Sequence, residues 1–315
     1  MSDPETWTDP FQRAILANSL ISVDRAFEST GFRTAATRYR AGTTSAQDQL
    51  ADLFLLNTGI ERHDHEAQAS VRGYFIDSGL TMLSHNGREA IDAVVRVPLP
   101  DPSPLDASLA DCLRRRRSRR RFSGGSVGRA DLSALLWAAA GITARARVEV
   151  PGSDDTVEML WRTAPSPGGL YGVDLHVAAA NVEGLERGLY RFDPRGGALW
   201  LVDGEAAMER ALEACCFSEE MISVSQAGAA LFLCGRPPKL YRKYGDRGLR
   251  YLFLEAGEIV QNVHLAVTAL GLGDVETAGF YDQEVNEALG LDGLTATLVH
   301  TVVVGVLEEH RDRTE

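Results

Sequence analysis

The densest chemistry in the sequence is a run of seven arginines in eight positions, Arg114 to Arg121, broken only by Ser118. A guanidinium is a rigid fork of donors that can grip two phosphate oxygens at once, and a serine hydroxyl inside the run adds a further hydrogen bond. Such a run can be a solvated or nucleic-acid-binding surface, a localisation signal, or a phosphate site. The rest of the chain bears on the choice. Acidic residues number 44 against 32 basic ones, for a formal net charge of −12. Nucleic acid and anionic membranes are therefore not expected as partners, and a local anion site is favoured over a nucleic-acid surface.

Other chemistry-bearing patterns are thin. His63, Asp64, His65 and Glu66 lie together, but no second cluster stands at metal-ligand spacing, so a solvated loop is expected and no metal. No GxGxxG opens a helix after a strand, and Gly271–Glu276 fails that pattern; no GxxxxGK[ST] occurs either. A Rossmann domain and a P-loop are thus unsupported. GxSxG and HExxH are absent, which leaves the common hydrolases without a handle. Cys112, Cys215, Cys216 and Cys234 show no CxxC spacing and read as reduced thiols of a cytoplasmic protein. Met1–Pro10 is polar and acidic, unlike a secretory signal. No stretch approaches the ~20 apolar residues needed to span a bilayer.

The elements that would position these residues divide at Val97–Ser108. Pro98, Pro100, Pro102 and Pro104 forbid regular helix there. Residues 1–97 are expected to form an extension that docks peptide or partner, with helical patterning at Gln12–Phe27 and Ala46–Leu56. Residues 98–315 should form the main domain. Within it, Leu105–Arg117 and Ala130–Ala140 read as helices, Val173–Ala179 and Ala229–Leu233 as strands, and Leu298–Leu307 as a buried strand. Gly188–Phe192 and Ala198–Val202 read as a hairpin about the turn-rich Asp193–Gly197. Leu249–Leu270 is the strongest helix. Leu252, Ala256, Ile259, Val263, Ala266 and Leu270 recur at alternating spacings of four and three, an apolar seam at heptad period. It is either a central core helix or a helix at a dimer interface. Gly271 is its expected cap.

Four segments in order resemble a known family. Arg116-Arg117-Ser118-Arg119-Arg120-Arg121-Phe122 is similar to the RRSxRxF motif that opens nitroreductase-fold domains. Ala164-Pro165-Ser166-Pro167-Gly168-Gly169-Leu170-Tyr171 resembles the PSAGALYP-like segment of SagB-type enzymes. Lys243-Tyr244-Gly245-Asp246-Arg247-Gly248-Leu249-Arg250-Tyr251, running into Leu254-Glu255-Ala256-Gly257-Glu258-Ile259-Val260-Gln261-Asn262, resembles that subfamily's KYGxRGxRYxxLEAGxxxQN signature. Ala269–Gly273 and Ala278-Gly279-Phe280 complete the set.

The resemblance implies an α+β nitroreductase-like fold: an antiparallel-rich sheet flanked by helices, in a homodimer with FMN at the subunit interface. By motif, Arg116, Arg117, Ser118 and Arg120 would hold the FMN phosphate, ribityl chain and pyrimidine edge. Pro165 and Ser166 would reach the flavin of the other subunit, and Gly169, Leu170 and Tyr171 would line the ring with backbone groups. Gly279 would place an N–H near the reactive flavin nitrogen. Ala278 stands where many relatives carry a glutamate, so an acid role there is not carried over. The basic C-terminal phosphate ligands of some relatives have no clear match, and Arg311 and Arg313 are candidates for that place. Lys243 and Tyr244 would serve proton transfer. The implied reaction is oxidation of azolines to thiazoles or oxazoles in a precursor peptide, beside cyclodehydratase components. The alternatives are an oxidoreductase acting on a small metabolite or another peptide bond, and a scaffold without activity.

Overall fold

A computed structural model describes residues 95–149 and 154–308, the helix at 65–76, and residues 54, 55 and 57–60. The chain divides into a unit of residues 1–62 and one of residues 63–315. In chain order the second unit contains α1 (His65–Ile76), β1 (Val95–Pro98), α2 (Leu109–Arg115), α3 (Arg129–Ala140), β2 (Ile142–Glu149), β3 (Thr156–Arg162), β4 (Val173–Ala179), β5 (Gly188–Asp193), β6 (Ala198–Asp203), α4 (Glu205–Ala214), β7 (Ala229–Gly235), α5 (Pro237–Tyr244), α6 (Gly248–Leu270), β8 (Gly273–Thr277), α7 (Asp282–Ala288) and β9 (Thr297–Gly305). The helices expected at Gln12–Phe27 and Ala46–Leu56 lie outside the described residues, or almost wholly so.

Seven strands form one antiparallel sheet in the order β1-β6-β5-β4-β7-β9-β8. The expected α+β fold with an antiparallel sheet and flanking helices is therefore present. The apolar runs become its centre because alternate strand residues point to opposite faces and both faces are covered. On β7, Leu231 and Leu233 face one core with α3 and α6, while Ala230, Phe232 and Cys234 face the other with α4 and α7. Strands β2 and β3 form a separate two-stranded ribbon, which the sequence reading did not separate out.

Two expected boundaries move, both of them ends of the first helix after the prolines. Helix α2 begins only at Leu109, because the Ser108 hydroxyl accepts the N–H of Asp111 at 3.1 Å as an N-cap. It ends at Arg115, and Arg116 onward is non-helical. Strand β1 pairs with β6 and carries ordered structure across the division expected at residue 97.

Helix α6 spans 23 residues and ends at Gly271, whose φ of 71° is the left-handed cap glycine permits. Leu252, Ala256, Ile259, Val263 and Ala266 of the heptad seam are buried within the chain's own core. Of the two readings, the seam itself is a core seam. The outward face of α6 carries Phe253 (50% exposed) and Leu254 (60%). Near its C-terminal half, an open apolar groove of about 410 Å³ is lined by residues including Leu109, Trp137 and Leu265.

Candidate active site

The loop between β3 and β4 is the centre of the site. Gly168 has φ 66° and Gly169 φ 67°, a backbone region that glycine enters without strain. Two side chains from α5 converge on Gly168. A Cβ built there would stand 2.6 Å from Lys243 Nζ and 2.6 Å from the Tyr244 hydroxyl. The glycine thus gives both polar ends room to reach the same patch of backbone. Lys243 is buried, at 2% exposure, and burial pushes its ammonium pKa below the ordinary lysine value. The Tyr244 ring packs edge-on to Tyr251 with centroids 4.8 Å apart, and Arg247 Nε donates to the Tyr251 hydroxyl at 3.2 Å. These contacts set the pair's orientation from α5 and the first turn of α6.

The same loop is clamped from below by Glu255 of α6, which is 1% exposed. Its carboxylate accepts the Ser166 hydroxyl at 2.6 Å and the Val173 N–H at 3.0 Å. Ser166 Oγ in turn accepts the N–H of Tyr171 at 2.8 Å. Burial raises the Glu255 pKa, against the hydrogen bonds from Ser166, Val173 and Gly172 and the charge of Arg162. Tyr171 has φ 50°, rare for a residue with a side chain. Arg162 holds it in place: the guanidinium lies 4.4 Å from the ring centroid, and the Arg162 N–H donates to the Tyr171 hydroxyl at 3.0 Å. Desolvation lowers the Arg162 pKa, opposed by the charges of Asp174 and Glu255.

These contacts define what the loop offers a ligand. Leu170 is buried in the core, so its side chain is not available to a ligand. The N–H groups of Gly169 and Tyr171 are taken up inside the loop, by Ser166 O at 2.9 Å and by Ser166 Oγ. The Ser166 hydroxyl hydrogen is committed to Glu255, so toward a ligand Ser166 is an acceptor only. Pro165 is exposed beside it.

The arginine run forms the second part. Beyond Arg115 it follows an extended path, tied down by Arg119 N–H donating to Asp274 O at 2.6 Å, by Ser223 N–H donating to Arg120 O at 3.0 Å, and by the buried Phe122. Ser118 bridges to Asp274 as well. Arg114 is paired with Asp111, and Arg121 donates to the carbonyls of Glu219 and Glu220. Arg117 donates to the carbonyls of Arg114 and Arg116. Among the described residues, the side chains of Arg116, Arg119 and Arg120 have no carboxylate partner. Unpaired guanidinium groups on a protein with net charge −12 form a donor set suited to a phosphate.

Gly279 follows β8. Its N–H donates to Thr277 Oγ1 at 3.1 Å, and a Cβ there would meet the Phe217 ring at 3.1 Å. Phe217 stacks edge-on to Tyr281 at 5.2 Å.

The sequence-expected residues therefore fall into two groups. Pro165, Ser166, Gly169, Leu170, Tyr171, Lys243 and Tyr244 come together with the N-terminal part of α6. Arg116, Arg117, Ser118 and Arg120 belong to the segment that meets β8 at Ser118 and Arg119, and β8 leads to Gly279. Along α6, Glu255 contacts the first group and His264 contacts β8 at Asp274. Nine residues of helix, about 13–14 Å, separate those two contacts. Arg311 and Arg313 lie outside the described residues. Sequence reasoning missed Gly168, Glu255 and Arg162. Gly168 and Glu255 stand inside the quoted motifs, but neither was given a role there.

The nitroreductase family model matches residues 113–306. MJ1384 of Methanocaldococcus jannaschii, which carries the name nitroreductase, is 33% identical over 196 residues, 62% of this chain and 89% of its own length. The trifolitoxin-processing protein TfxB of Rhizobium leguminosarum bv. trifolii is 26% identical over 171 residues, 54% of this chain and 46% of its own. Among solved structures, a protein from Ralstonia eutropha JMP134 described as a nitroreductase matches with a TM-score of 0.53 at 23% identity, covering 71% of this chain and 97% of that one. Likeness at that level shows the fold.

Proposed function

This chain belongs to the nitroreductase family, and from that premise we propose that it is an FMN-dependent dehydrogenase that oxidises azoline rings in a peptide to azoles. The observation that carries the reading is the convergence of Lys243 Nζ and the Tyr244 hydroxyl on Gly168, inside the loop expected to line the flavin. Similarity to a protein named for toxin processing adds support.

Azoline oxidation removes two hydrogens from the ring, one as hydride and one as proton. When bound, FMN supplies the two-electron acceptor for the hydride. The chain must remove the proton. A proton acceptor must give up its own proton first, and burial of Lys243 lowers its ammonium pKa, the direction that role requires. Tyr244, whose hydroxyl converges on the same glycine, can pass the proton on or share it with Lys243. Arg116, Arg117, Ser118 and Arg120 would bind phosphate and ribityl oxygens. Ser166 would accept a hydrogen bond from the cofactor, and Pro165 would close against it.

Because the two groups of residues are held apart along α6, a homodimer that joins the loop of one copy to the arginine run of the other would complete the site. The outward Phe253 and Leu254 and the apolar groove beside α6 suit such an interface. The Ser70 hydroxyl of α1 donates to the Lys243 carbonyl at 3.1 Å, which supports a role for residues 1–97 in bringing a precursor peptide, or the cyclodehydratase components that deliver it, toward α5.

A second reading is a family oxidoreductase acting on a small molecule. It is favoured by the greater identity to MJ1384 over nearly all of that protein's length. The two separate on substrate: purified flavin-loaded protein is offered an azoline-bearing peptide or a nitroaromatic with a nicotinamide donor. Azole formation supports the first; turnover of the nitroaromatic alone supports the second.

A further inference from the structure

Helix α6 carries a second buried titratable side chain, one for which the flavin reading has no use. His264 is 5% exposed. Its Nδ1 is hydrogen-bonded to Asp274 Oδ2, and its Nε2 lies 3.6 Å from Glu276 Oε2. Glu276 in turn stands 3.0 Å from His300 Nε2, and His300 Nδ1 lies 3.1 Å from the Thr277 carbonyl. An imidazole hydrogen-bonded to one carboxylate and within ion-pair distance of a second is favoured as the imidazolium. Burial works against that charge, but the hydrogen bond to Asp274 and the charges of Asp274 and Glu276 outweigh it, and the pKa is raised in spite of Arg116 nearby.

What the imidazolium braces is an edge strand. Among the described residues, strand β8 pairs only with β9 in the main sheet. At its start, the Asp274 backbone bridges Ser118 and takes the Arg119 N–H. At its end, Thr277 Oγ1 takes the N–H of Gly279. Five residues of strand thus connect the arginine run to the glycine expected at the flavin ring.

We propose that His264 is a positioning residue for the flavin phosphate: braced between Asp274 and Glu276, it fixes β8 and, through the Asp274 backbone, the Ser118–Arg120 segment. The inference rests on the FMN reading of that segment. The charged groups facing His264 are Asp274 and Glu276 from β8 and Arg116 from the arginine run, with His300 of β9 reached through Glu276. Its pKa is raised on folding, so the stabilisation it supplies is fully present below its unfolded pKa of about 6.5 and is lost as pH rises through the folded value. Flavin affinity should weaken in the same direction.

The test is the FMN dissociation constant, read by flavin fluorescence on apoprotein between about pH 7 and 9. A phosphomonoester with a second pKa of about 6 is already a dianion throughout that range. The wild-type constant should weaken toward the alkaline end, by up to about tenfold for each unit by which flavin binding raises the His264 pKa. His264→Gln, which keeps one donor for Asp274, should bind more weakly near pH 7 and show no slope. If that variant does not fold, Glu276→Gln on the half-exposed side of the histidine should show a reduced slope. A wild-type slope retained in the folded variant, or no slope in wild type, overturns the inference and leaves the FMN reading standing. Absence of FMN binding by wild type at every pH overturns the FMN reading and the inference with it.

Discussion

Ser166 donates its hydroxyl proton to the buried carboxylate of Glu255 at 2.6 Å, a contact between residues 89 positions apart. Through it, the helix at the centre of the core fixes the loop on which Lys243 and Tyr244 converge. Glu255→Ala should leave the Ser166 hydroxyl and the Val173 N–H without acceptors, at about 1–3 kcal/mol for each group. A lower midpoint in thermal unfolding checks this.

The pH dependence of the same residue has a definite sign. The Glu255 pKa is raised in the folded state, so the native chain holds the proton more tightly than the unfolded one. Its contribution to stability is fully present below the ordinary carboxylate pKa and is lost as pH rises through the raised value. Unfolding free energies measured across that window should therefore shift in favour of Glu255→Gln relative to wild type as pH increases. A constant difference would show that the carboxylate does not titrate there.

Much of this arrangement was legible in the sequence, and the omissions have physical causes. The central strands were visible because both faces are buried, which makes them apolar runs; α6 was visible from its heptad spacing. The β2–β3 ribbon was not, because Ile142–Glu149 is largely exposed on both faces and shows no core-facing alternation. Helix α5 hid behind Pro237 and Pro238, which stand at its first turn, where the missing N–H costs nothing. The arginine run was read as the end of a helix, although only its first two arginines are helical. Gly168 and Glu255 were beyond periodicity, since each is defined by partners distant in the chain.

Gly168→Ala should displace the polar ends of Lys243 and Tyr244, since its Cβ would lie 2.6 Å from each. The left-handed backbone adds roughly 1–2 kcal/mol of strain. Expected is a folded protein that keeps its yellow flavin and turns over little better than Lys243→Ala. Normal turnover with flavin bound would show that the pair does not need that position.

Arg116→Ala and Arg120→Ala should weaken FMN retention about ten- to a hundredfold, the loss of a charge-assisted contact of roughly 1.5–3 kcal/mol. Arg114→Ala should change it little, because Arg114 already pairs with Asp111. The flavin-to-protein absorbance ratio after gel filtration measures all three, and equal ratios would contradict the phosphate assignment.

Leu254→Glu, on the outward face of α6, should shift the protein from dimer to monomer in light scattering and lower its flavin content together. A flavin-loaded wild-type monomer would refute a site shared between copies.

The most direct measurement is anaerobic single turnover: flavin-loaded protein is mixed with an azoline-bearing peptide, and the flavin absorbance is followed. Bleaching with formation of the azole is expected in wild type. In Lys243→Ala and Tyr244→Phe the step should slow by ~10²–10⁴, as for loss of a positioned general base. The double variant should be little slower than the poorer single one. Flavin that stays oxidised with the peptide yet bleaches with a nicotinamide donor would contradict azoline oxidation.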